Sequence, residues 1–210
     1  MILLGHRGAR STRHIPENTL ESFELCLRHG CDGFEFDVRR SADGVPVICH
    51  DPVIAGREIA ASPSEQLSLP TLDLVLRQFS ARAFLDIELK VTGLESHLLA
   101  SLRAHPPQKG YVVSSFLPGV LKAVYEIDST VPLGFLYEGQ KKAAPSALPL
   151  AYLVPHFTLM NRELVEEAHA AGRKIMTWTV NRADDMRRIA DWGVDALISD
   201  DTELLASTLR

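Results

Sequence analysis

Three carboxylates on two strand-like stretches have the spacing in this chain that most directly suggests chemistry. In residues 33–40, Glu35 and Asp37 alternate with apolar side chains, so both acids share one face of a strand. Residues 84–90 repeat the pattern and place Glu88 on a polar face. Buried acids are costly unless a positive group lies between them. Carboxylate oxygens from two strands suit a hard cation, Mg²⁺ or Ca²⁺.

A hairpin is expected to bring a histidine to these acids. Asp43-Gly44 separates two extended segments and is typical of a two-residue turn. In that register Asp37 faces His50 across the hairpin, and facing residues lie on the same side of the sheet. A slip of one residue would turn His50 away.

Two histidines and two cations complete the predicted constellation. His6 and Arg7 follow a short apolar strand, and Lys90 ends the second acidic stretch. His6 and His50 could divide general-base and general-acid roles, since both titrate near neutral pH. Arg7 and Lys90 supply the positive charge that a phosphate oxyanion needs. The plain alternative is that the acids only form salt bridges with Arg7, Arg39 and Lys90.

The elements that must position these residues alternate between strand and helix. Without the return strand of the hairpin, eight strands are predicted, at residues 2–4, 33–40, 84–90, 111–115, 133–137, 151–155, 174–180 and 195–199. Helices are predicted from Asn18, as N-cap, to Gly30, and at 71–79, 94–104, 118–127, 161–171 and 182–191, with a weaker one at 140–147. The pattern predicts a single-domain (β/α)₈ TIM barrel over residues 1–210, with a β-hairpin after the second strand and a short insertion at 51–70.

In such a barrel the active site lies at the carboxyl ends of the strands. The residues found there are His6, Arg7, Glu35, Asp37, Glu88, Lys90, Ser114, Ser115, His156, Trp178, Asn181 and Asp200. We expect Trp178 to pack against the glycerol and His156 to contact the substrate, although core packing and a structural role are the respective alternatives. Glu17 is expected to bind Arg7 or to favour the start of the first helix.

The length, composition and net charge of the chain exclude several classes of protein. With 210 residues, 46% hydrophobic and 23% charged, the chain is an ordinary globule rather than a disordered one. A net charge of -5 does not indicate the basic surface that binds nucleic acid. No apolar run approaches the roughly 18 residues of a membrane span. Three irregularly spaced cysteines favour a reducing, cytoplasmic location, and no signal addresses the oligomeric state.

Taken together, motifs from residue 2 to about residue 200 resemble the glycerophosphodiester phosphodiesterase family. They are His6-Arg7-Gly8, Pro16-Glu17-Asn18-Thr19, Glu35-Phe36-Asp37, Asp43-Gly44, His50-Asp51, Ile87-Glu88-Leu89-Lys90, Ser114-Ser115-Phe116, Trp178-Thr179-Val180-Asn181 and Gly193-Val194-Asp195. The resemblance implies a metal-dependent barrel that cleaves glycerophosphodiesters, as small-molecule substrates, to glycerol 3-phosphate and an alcohol. The implied roles are metal ligands (Glu35, Asp37, Glu88), acid and base (His6, His50) and phosphate contacts (Arg7, Lys90). One histidine would assist attack by a glycerol hydroxyl and the other would protonate the leaving alcohol, before water opens the cyclic phosphate.

The chain departs from the family pattern at two places. Residues 51–70 replace a longer insertion that often carries Leu-x-Arg-Thr, and Ser199-Asp200-Asp201-Thr202 stands where Thr-Asp-x-Pro is common. The short insertion leaves open a lysophospholipase D or a cyclising phosphodiesterase that stops at the cyclic phosphate. A non-catalytic barrel that binds a metal and a phosphorylated ligand is the alternative of another class.

Overall fold

A closed barrel of eight parallel strands carries the site. The computed structural model describes residues 1–139 and 148–210, so the predicted helix at 140–147 lies outside the described residues. The barrel strands are β1 (Ile2–Gly5), β2 (Gly33–Arg40), β6 (Phe84–Leu89), β7 (Tyr111–Ser115), β8 (Leu133–Tyr137), β9 (Tyr152–Pro155), β10 (Lys174–Thr177) and β11 (Ala196–Ser199). Each strand pairs in parallel with the next, and β1 closes the ring by pairing with both β2 and β11. The predicted (β/α)₈ fold is confirmed.

Helices follow most barrel strands, close to the predicted bounds. They are α1 (Leu20–Arg28), α2 (Leu72–Phe79), α3 (Glu95–Ala104), α4 (Pro118–Ile127), α5 (Arg162–Ala170), α6 (Ala183–Asp191) and α7 (Thr202–Leu209). The last helix was not predicted. Its N-cap is Asp201, whose carboxylate accepts a hydrogen bond from the Leu204 amide at 2.9 Å, as the side chain of an N-cap commonly does.

The alternating strand pattern separates two apolar layers. Outside the barrel, Phe34 and Phe36 of β2 pack on the helices: the Phe23 and Phe34 rings stack with centroids 4.1 Å apart, and Phe79 meets Phe34 edge to face. Burying each such side chain stabilises the fold by about 1.5–3 kcal/mol. A second cluster fills the barrel itself and comprises Leu4, Phe84, Val112, Leu136, Tyr152, Val154, Met176, Ala196 and Ile198. The acids of β2 and β6 therefore face inward, as the inverted alternation predicts.

The start of α1 differs from prediction. Thr19, rather than Asn18, is the N-cap, and its hydroxyl accepts from the Ser22 amide at 3.2 Å. Asn18 has a positive φ of 58° and turns its side chain into the barrel mouth. Both residue types make good N-caps, so local preference does not separate them.

The predicted hairpin forms, but its predicted register is wrong by one residue. The return strand β3 (Pro46–Ile48) pairs antiparallel with β2, with Val38 opposite Ile48. The Cys49 amide donates to the Asp37 carbonyl at 3.0 Å, so Cys49 rather than His50 lies across from Asp37. The loop has three residues because Gly44, at φ 84°, closes it in the left-handed conformation.

The predicted irregular segment at 51–70 contains a small hairpin, β4 (Val53–Ile54) and β5 (Arg57–Glu58), and two 3₁₀ turns.

All three cysteines are buried free thiols. Within the described ranges, no helix combines the length and apolar character needed to cross a bilayer.

Candidate active site

One pocket of about 320 Å³ opens at the carboxyl ends of the barrel strands. Its polar residues are His6, Arg7, Glu35, His50, Asp86, Glu88, Lys90 and Glu138, and its apolar residues are Phe116, Leu136, Trp178 and Ile198. Most of the site residues predicted from the sequence therefore meet at one place. Of the predicted catalytic, metal and substrate residues, Asp37 and His156 are not among the lining residues.

The loop after β1 holds the first two of these residues. Arg7 has a φ of 53°, and its backbone amide donates to Glu35 Oε2 at 2.9 Å. Its carbonyl accepts from the Asn18 amide at 3.0 Å and from the Ser22 hydroxyl at 3.1 Å. The tight approach requires Gly8, where a Cβ would lie 2.4 Å from Ser22 Oγ. The loop is thus fixed against both α1 and the acidic strand.

The three predicted metal ligands converge. Oxygen atoms of Glu35, Asp37 and Glu88 all lie within 4.8 Å of one another, and all three residues are buried. Burial and the nearby Asp37 charge raise the pKa of Glu35 well above its usual range, and the same two causes raise the pKa of Glu88 to about 7. Glu35 Oε1 accepts no hydrogen bond from the described residues. The carboxylates are crowded and incompletely neutralised.

Two protein cations share these acids. Lys90 Nζ lies 2.7 Å from Glu88 Oε1 and 3.3 Å from Asp37 Oδ1, and Arg7 Nε lies 3.2 Å from Asp37 Oδ2. Burial opposes ionisation of Asp37, but the charges of Lys90 and Arg7 lower its pKa below the usual value. The salt bridges of the plain alternative therefore exist for Arg7 and Lys90. The alternative's bridge to Arg39 is absent among the described residues, and Arg39 Nε donates to the His50 carbonyl at 2.7 Å instead.

A divalent cation fits this arrangement. Three carboxylates face the charges of Arg7 and Lys90, and Arg7 is shared with Glu17 at 2.7 Å, so the cluster has more negative than positive charge. The acid oxygens also include one that accepts no hydrogen bond from the described residues. Buried carboxylate oxygens are the donors that Mg²⁺ and Ca²⁺ prefer. Glu35, Asp37 and Glu88 are the residues that would hold the ion.

Asn18 is a site residue that the sequence reasoning assigned to another role. Its Nδ2 donates to Asp37 Oδ2 at 2.8 Å, and its Oδ1 accepts from the Asp37 amide at 3.3 Å. The first contact holds the Asp37 carboxylate, and the second fixes the orientation of the Asn18 amide that donates it. Partners of this kind orient metal ligands.

His6 is oriented by the last strand of the barrel. Its Nδ1 lies 2.7 Å from Asp200 Oδ1, and its Nε2 faces Glu35 Oε2 at 3.8 Å. Burial would raise the pKa of Asp200, but hydrogen bonds from His6 and Asn181 hold it well below its usual range. An ionised carboxylate only accepts, so Nδ1 carries the proton. Burial lowers the pKa of His6, although Asp200 opposes the shift, and a neutral ring leaves a lone pair on Nε2.

His50 reaches the same pocket although the hairpin register differs by one residue from the predicted one. The strand ends at Ile48, so the chain is no longer bound to sheet alternation when it reaches His50. The side chain of His50 is 34% exposed, against 12% for His6, and its Nδ1 lies 2.7 Å from Asp51 Oδ1. This hydrogen bond lowers the pKa of Asp51. His6 is thus largely shielded from solvent, whereas His50 is partly exposed to it.

A fourth acid lies deeper in the barrel. Asp86 is fully buried, and burial raises its pKa to about 8 even though the Ser114 hydroxyl donates to it at 2.6 Å. Ser115 donates to the Leu89 carbonyl at 2.8 Å. Both serines are thus committed to local hydrogen bonds.

The opposite half of the pocket is largely apolar. The Phe116 and Trp178 rings stand perpendicular, with centroids 5.5 Å apart, and Glu138 lies at the rim. His156 packs edge to face on Trp178 at 5.1 Å and accepts from the Thr158 amide. Phe116 and Glu138 were missed, yet strand alternation extended by one step finds them: each follows an inward-facing residue, Ser114 or Leu136, by two positions.

The glycerophosphoryl diester phosphodiesterase family model matches residues 6–84 and 64–204. A glycerophosphodiester phosphodiesterase of Caldanaerobacter subterraneus subsp. tengcongensis is 29% identical over 239 residues, which cover 100% of this chain and 98% of that protein. A glycerophosphodiester phosphodiesterase of Bacillus subtilis is 26% identical, over 97% of this chain and 85% of that protein.

Solved structures give the same result. A phosphodiesterase of Oleispira antarctica, in complex with the product sn-glycerol-3-phosphate, is 27% identical with a TM-score of 0.85, over 100% of this chain and 96% of that one. A structure from Galdieria sulphuraria has a TM-score of 0.87 at 21% identity, over 100% of this chain and 98% of that one, and shows the shared fold.

Proposed function

Because this chain belongs to the glycerophosphoryl diester phosphodiesterase family, we propose that it cleaves glycerophosphodiesters to glycerol 3-phosphate and an alcohol, with the help of a divalent metal. It is a phosphoric diester hydrolase. One observation carries the detailed proposal: three buried carboxylates, two cations and two histidines line or underlie one pocket. The product held by the Oleispira antarctica relative supports the glycerophosphate half of the substrate.

In the proposed mechanism, Glu35, Asp37 and Glu88 would hold the metal, and Asn18 keeps the Asp37 carboxylate in place. A bound divalent cation supplies Lewis-acid polarisation of the phosphoryl oxygens and lowers the pKa of the attacking hydroxyl. Arg7 and Lys90 partly neutralise the acids and present positive charge to the phosphate. Their long side chains act without entering the metal coordination sphere, because neither carries a lone pair when charged.

The two histidines are assigned by burial. His6 is neutral, with its Nε2 lone pair directed into the pocket, and we assign it as the base that removes the proton of the attacking glycerol hydroxyl. The new oxygen–phosphorus bond forms as the bond to the leaving alcohol breaks. His50 is more exposed, and its Nδ1 lies 2.7 Å from Asp51 Oδ1, so we assign it as the acid that protonates the leaving oxygen. Water then opens the cyclic phosphate with the two proton transfers reversed.

The two predicted substrate contacts, Trp178 and His156, lie in different positions relative to the pocket. Trp178 lines the pocket and remains a proposed substrate contact. His156 touches Trp178 instead, so we propose that it acts by supporting the indole ring.

The proposal is tested by turnover of glycerophosphocholine and glycerophosphoethanolamine with Mg²⁺, Ca²⁺, Mn²⁺ or a chelator. Turnover should require a divalent ion and should be abolished in Glu35→Gln, since the amide removes one ligand charge. Glu126→Gln is the matched control, because Glu126 is exposed and, among the residues that the structure describes, its ion-pair partner is Lys122 on α4. Chelator-insensitive turnover, or full activity in Glu35→Gln, would contradict the metal assignment. Phosphorus NMR of the products separates full hydrolysis from release of the cyclic phosphate.

A further inference from the structure

Arg10 does not line the active-site pocket, but it contacts two acids that orient residues of the pocket. Arg10 Nε lies 2.5 Å from Glu17 Oε2, and Arg10 Nη1 donates to Asp200 Oδ1 at 3.1 Å. The other carboxylate oxygen of Glu17 lies 2.7 Å from Arg7 Nη1. Asp200 Oδ1 also lies 2.7 Å from His6 Nδ1. One guanidinium group therefore joins the acid that contacts the phosphate-binding arginine to the acid that contacts the base.

Backbone hydrogen bonds hold the loop around Arg10 independently of its side chain. The Ala9 amide donates to the Ser22 carbonyl of α1 at 3.1 Å, and the Ser11 amide donates to the Asp200 carbonyl at 3.0 Å. The backbone at Arg10 is thus anchored on one side to α1 and on the other to the end of β11. Removing the Arg10 side chain should leave the path of this loop unchanged.

The shape of the guanidinium group suits this double contact. Its N–H donors point in fixed directions within one plane, whereas the ammonium group of lysine is a compact point charge. Burial opposes ionisation of Glu17, but hydrogen bonds from Arg7 and Arg10 lower its pKa. The Arg10 side chain is 39% exposed, and ion pairs of such exposure add little to folding stability. The value of Arg10 therefore lies in the orientation of its two partners.

We propose that Arg10 is a positioning residue for the reaction, which holds the Asp200 carboxylate against His6 and, through Glu17, the Arg7 guanidinium toward the phosphate. The inference rests on the proposed function and adds a residue that acts only through others. Its two arms have different kinetic consequences. The Asp200 arm acts on proton transfer and therefore on kcat, while the Glu17 arm acts on phosphate binding and therefore on affinity.

The test measures kcat for glycerophosphocholine and the inhibition constant of inorganic phosphate, which probes the Arg7 contact. Arg10→Ala should lower kcat by about tenfold and weaken phosphate inhibition by about fivefold, since misplaced reacting groups are costly. In Asp200→Asn the amide no longer attracts Arg10, so adding Arg10→Ala should change kcat by less than about twofold while still weakening phosphate inhibition. In Glu17→Gln, adding Arg10→Ala should still lower kcat but should leave phosphate inhibition within about twofold.

Two further variants separate positioning from a general effect of charge. Arg13→Ala removes an equal charge from an exposed position on the same loop and should keep both wild-type values. Arg10→Lys keeps the charge without the planar fork and should restore at most one of the two values.

The remaining outcomes contradict specific statements. Wild-type values in Arg10→Ala would overturn the inference, and so would equal losses from Arg10→Ala in all three backgrounds, because a purely structural role predicts them. Full recovery of both values in Arg10→Lys would overturn the double contact. Absence of turnover by the wild-type enzyme would instead overturn the proposed function, while phosphate affinity, measured by calorimetry, would still decide the Glu17 arm.

Discussion

Asp200→Asn should disable His6 by imposing the wrong tautomer rather than by displacing it. Asn181 Nδ2 donates to Asp200 Oδ2 at 2.7 Å, while Asn181 Oδ1 accepts from the Asp200 amide at 2.9 Å, so the orientation of Asn181 is fixed. Arg10 Nη1 also donates to Asp200 Oδ1 at 3.1 Å, but the Arg10 side chain is long and exposed and can turn away, so the new amide keeps its oxygen toward Asn181. Its NH₂ group then faces His6 Nδ1, which must accept, and the ring proton moves to Nε2. The lone pair that serves as the base is lost.

The size of the effect follows from the role assigned to His6. A positioned general base contributes about 10²–10⁴ in rate, and the geometry of the remaining site is unchanged, so we expect kcat to fall by roughly 10²–10³. This is about 3–4 kcal/mol of lost transition-state stabilisation. KM should change little, because Arg7, Lys90 and the three metal ligands are untouched.

The assay uses two leaving groups, choline and p-nitrophenol, on the same glycerophosphate. An activated phenol leaves without protonation, so it should restore most of the activity of His50→Ala but none of that lost in Asp200→Asn. Asp201→Asn is the control, since Asn remains a good N-cap for α7 and Asp201 does not touch His6. A folded Asp200→Asn with kcat within about threefold of wild type would refute the tautomer reasoning, because a base is worth far more. Rescue of Asp200→Asn by p-nitrophenol would refute the assignment of His6 as base.

Three further predictions concern metal binding, stability and the pocket wall. Asn18→Ala frees the Asp37 carboxylate and should weaken divalent-metal affinity by about 10–100-fold, measured by calorimetric titration. Without metal, folding raises the pKa of Glu88 from 4.5 to about 7, so the folded state holds a proton that the unfolded chain has released over this range. The free energy of unfolding should then fall by on the order of 3 kcal/mol as the pH rises from about 4.5 to about 7. With Mg²⁺ bound, denaturation curves should lose this dependence on pH. The same pH dependence with and without metal would contradict the ligand set. His156→Ala should lower kcat/KM by no more than about fivefold, since it removes only a ring packed on Trp178, and a 100-fold loss would show direct substrate contact.

Strand periodicity explains why the central site could be predicted. Two stretches with acids on one face and apolar residues on the other allow only one placement in a barrel surrounded by helices, and this placement brings Glu35, Asp37 and Glu88 together. The ends of strands are less constrained. Extending the alternation beyond β7 and β8 would have identified Phe116 and Glu138, which the sequence reasoning missed.

Two errors have a different physical origin. Asn18 and Thr19 are adjacent and equally suited to cap α1, and only the distant Asp37 carboxylate decides which of them turns inward. The Asp43-Gly44 signal fits both a two-residue and a three-residue loop, and the choice shifts the hairpin register by one. Local sequence preferences do not contain the tertiary contact that selects between such alternatives.

The closing pair of strands has a consequence for the nascent chain. Every proposed metal ligand and phosphate contact has been synthesised by residue 90, but β1 lacks one of its two neighbours until β11 follows, and His6 and Asp200 are 194 residues apart. Contacts of such long separation form late and slowly during folding. An incomplete chain at the ribosome lacks Asp200 and therefore the contact that orients His6. We expect hydrolysis to begin only after the final strand has entered the barrel.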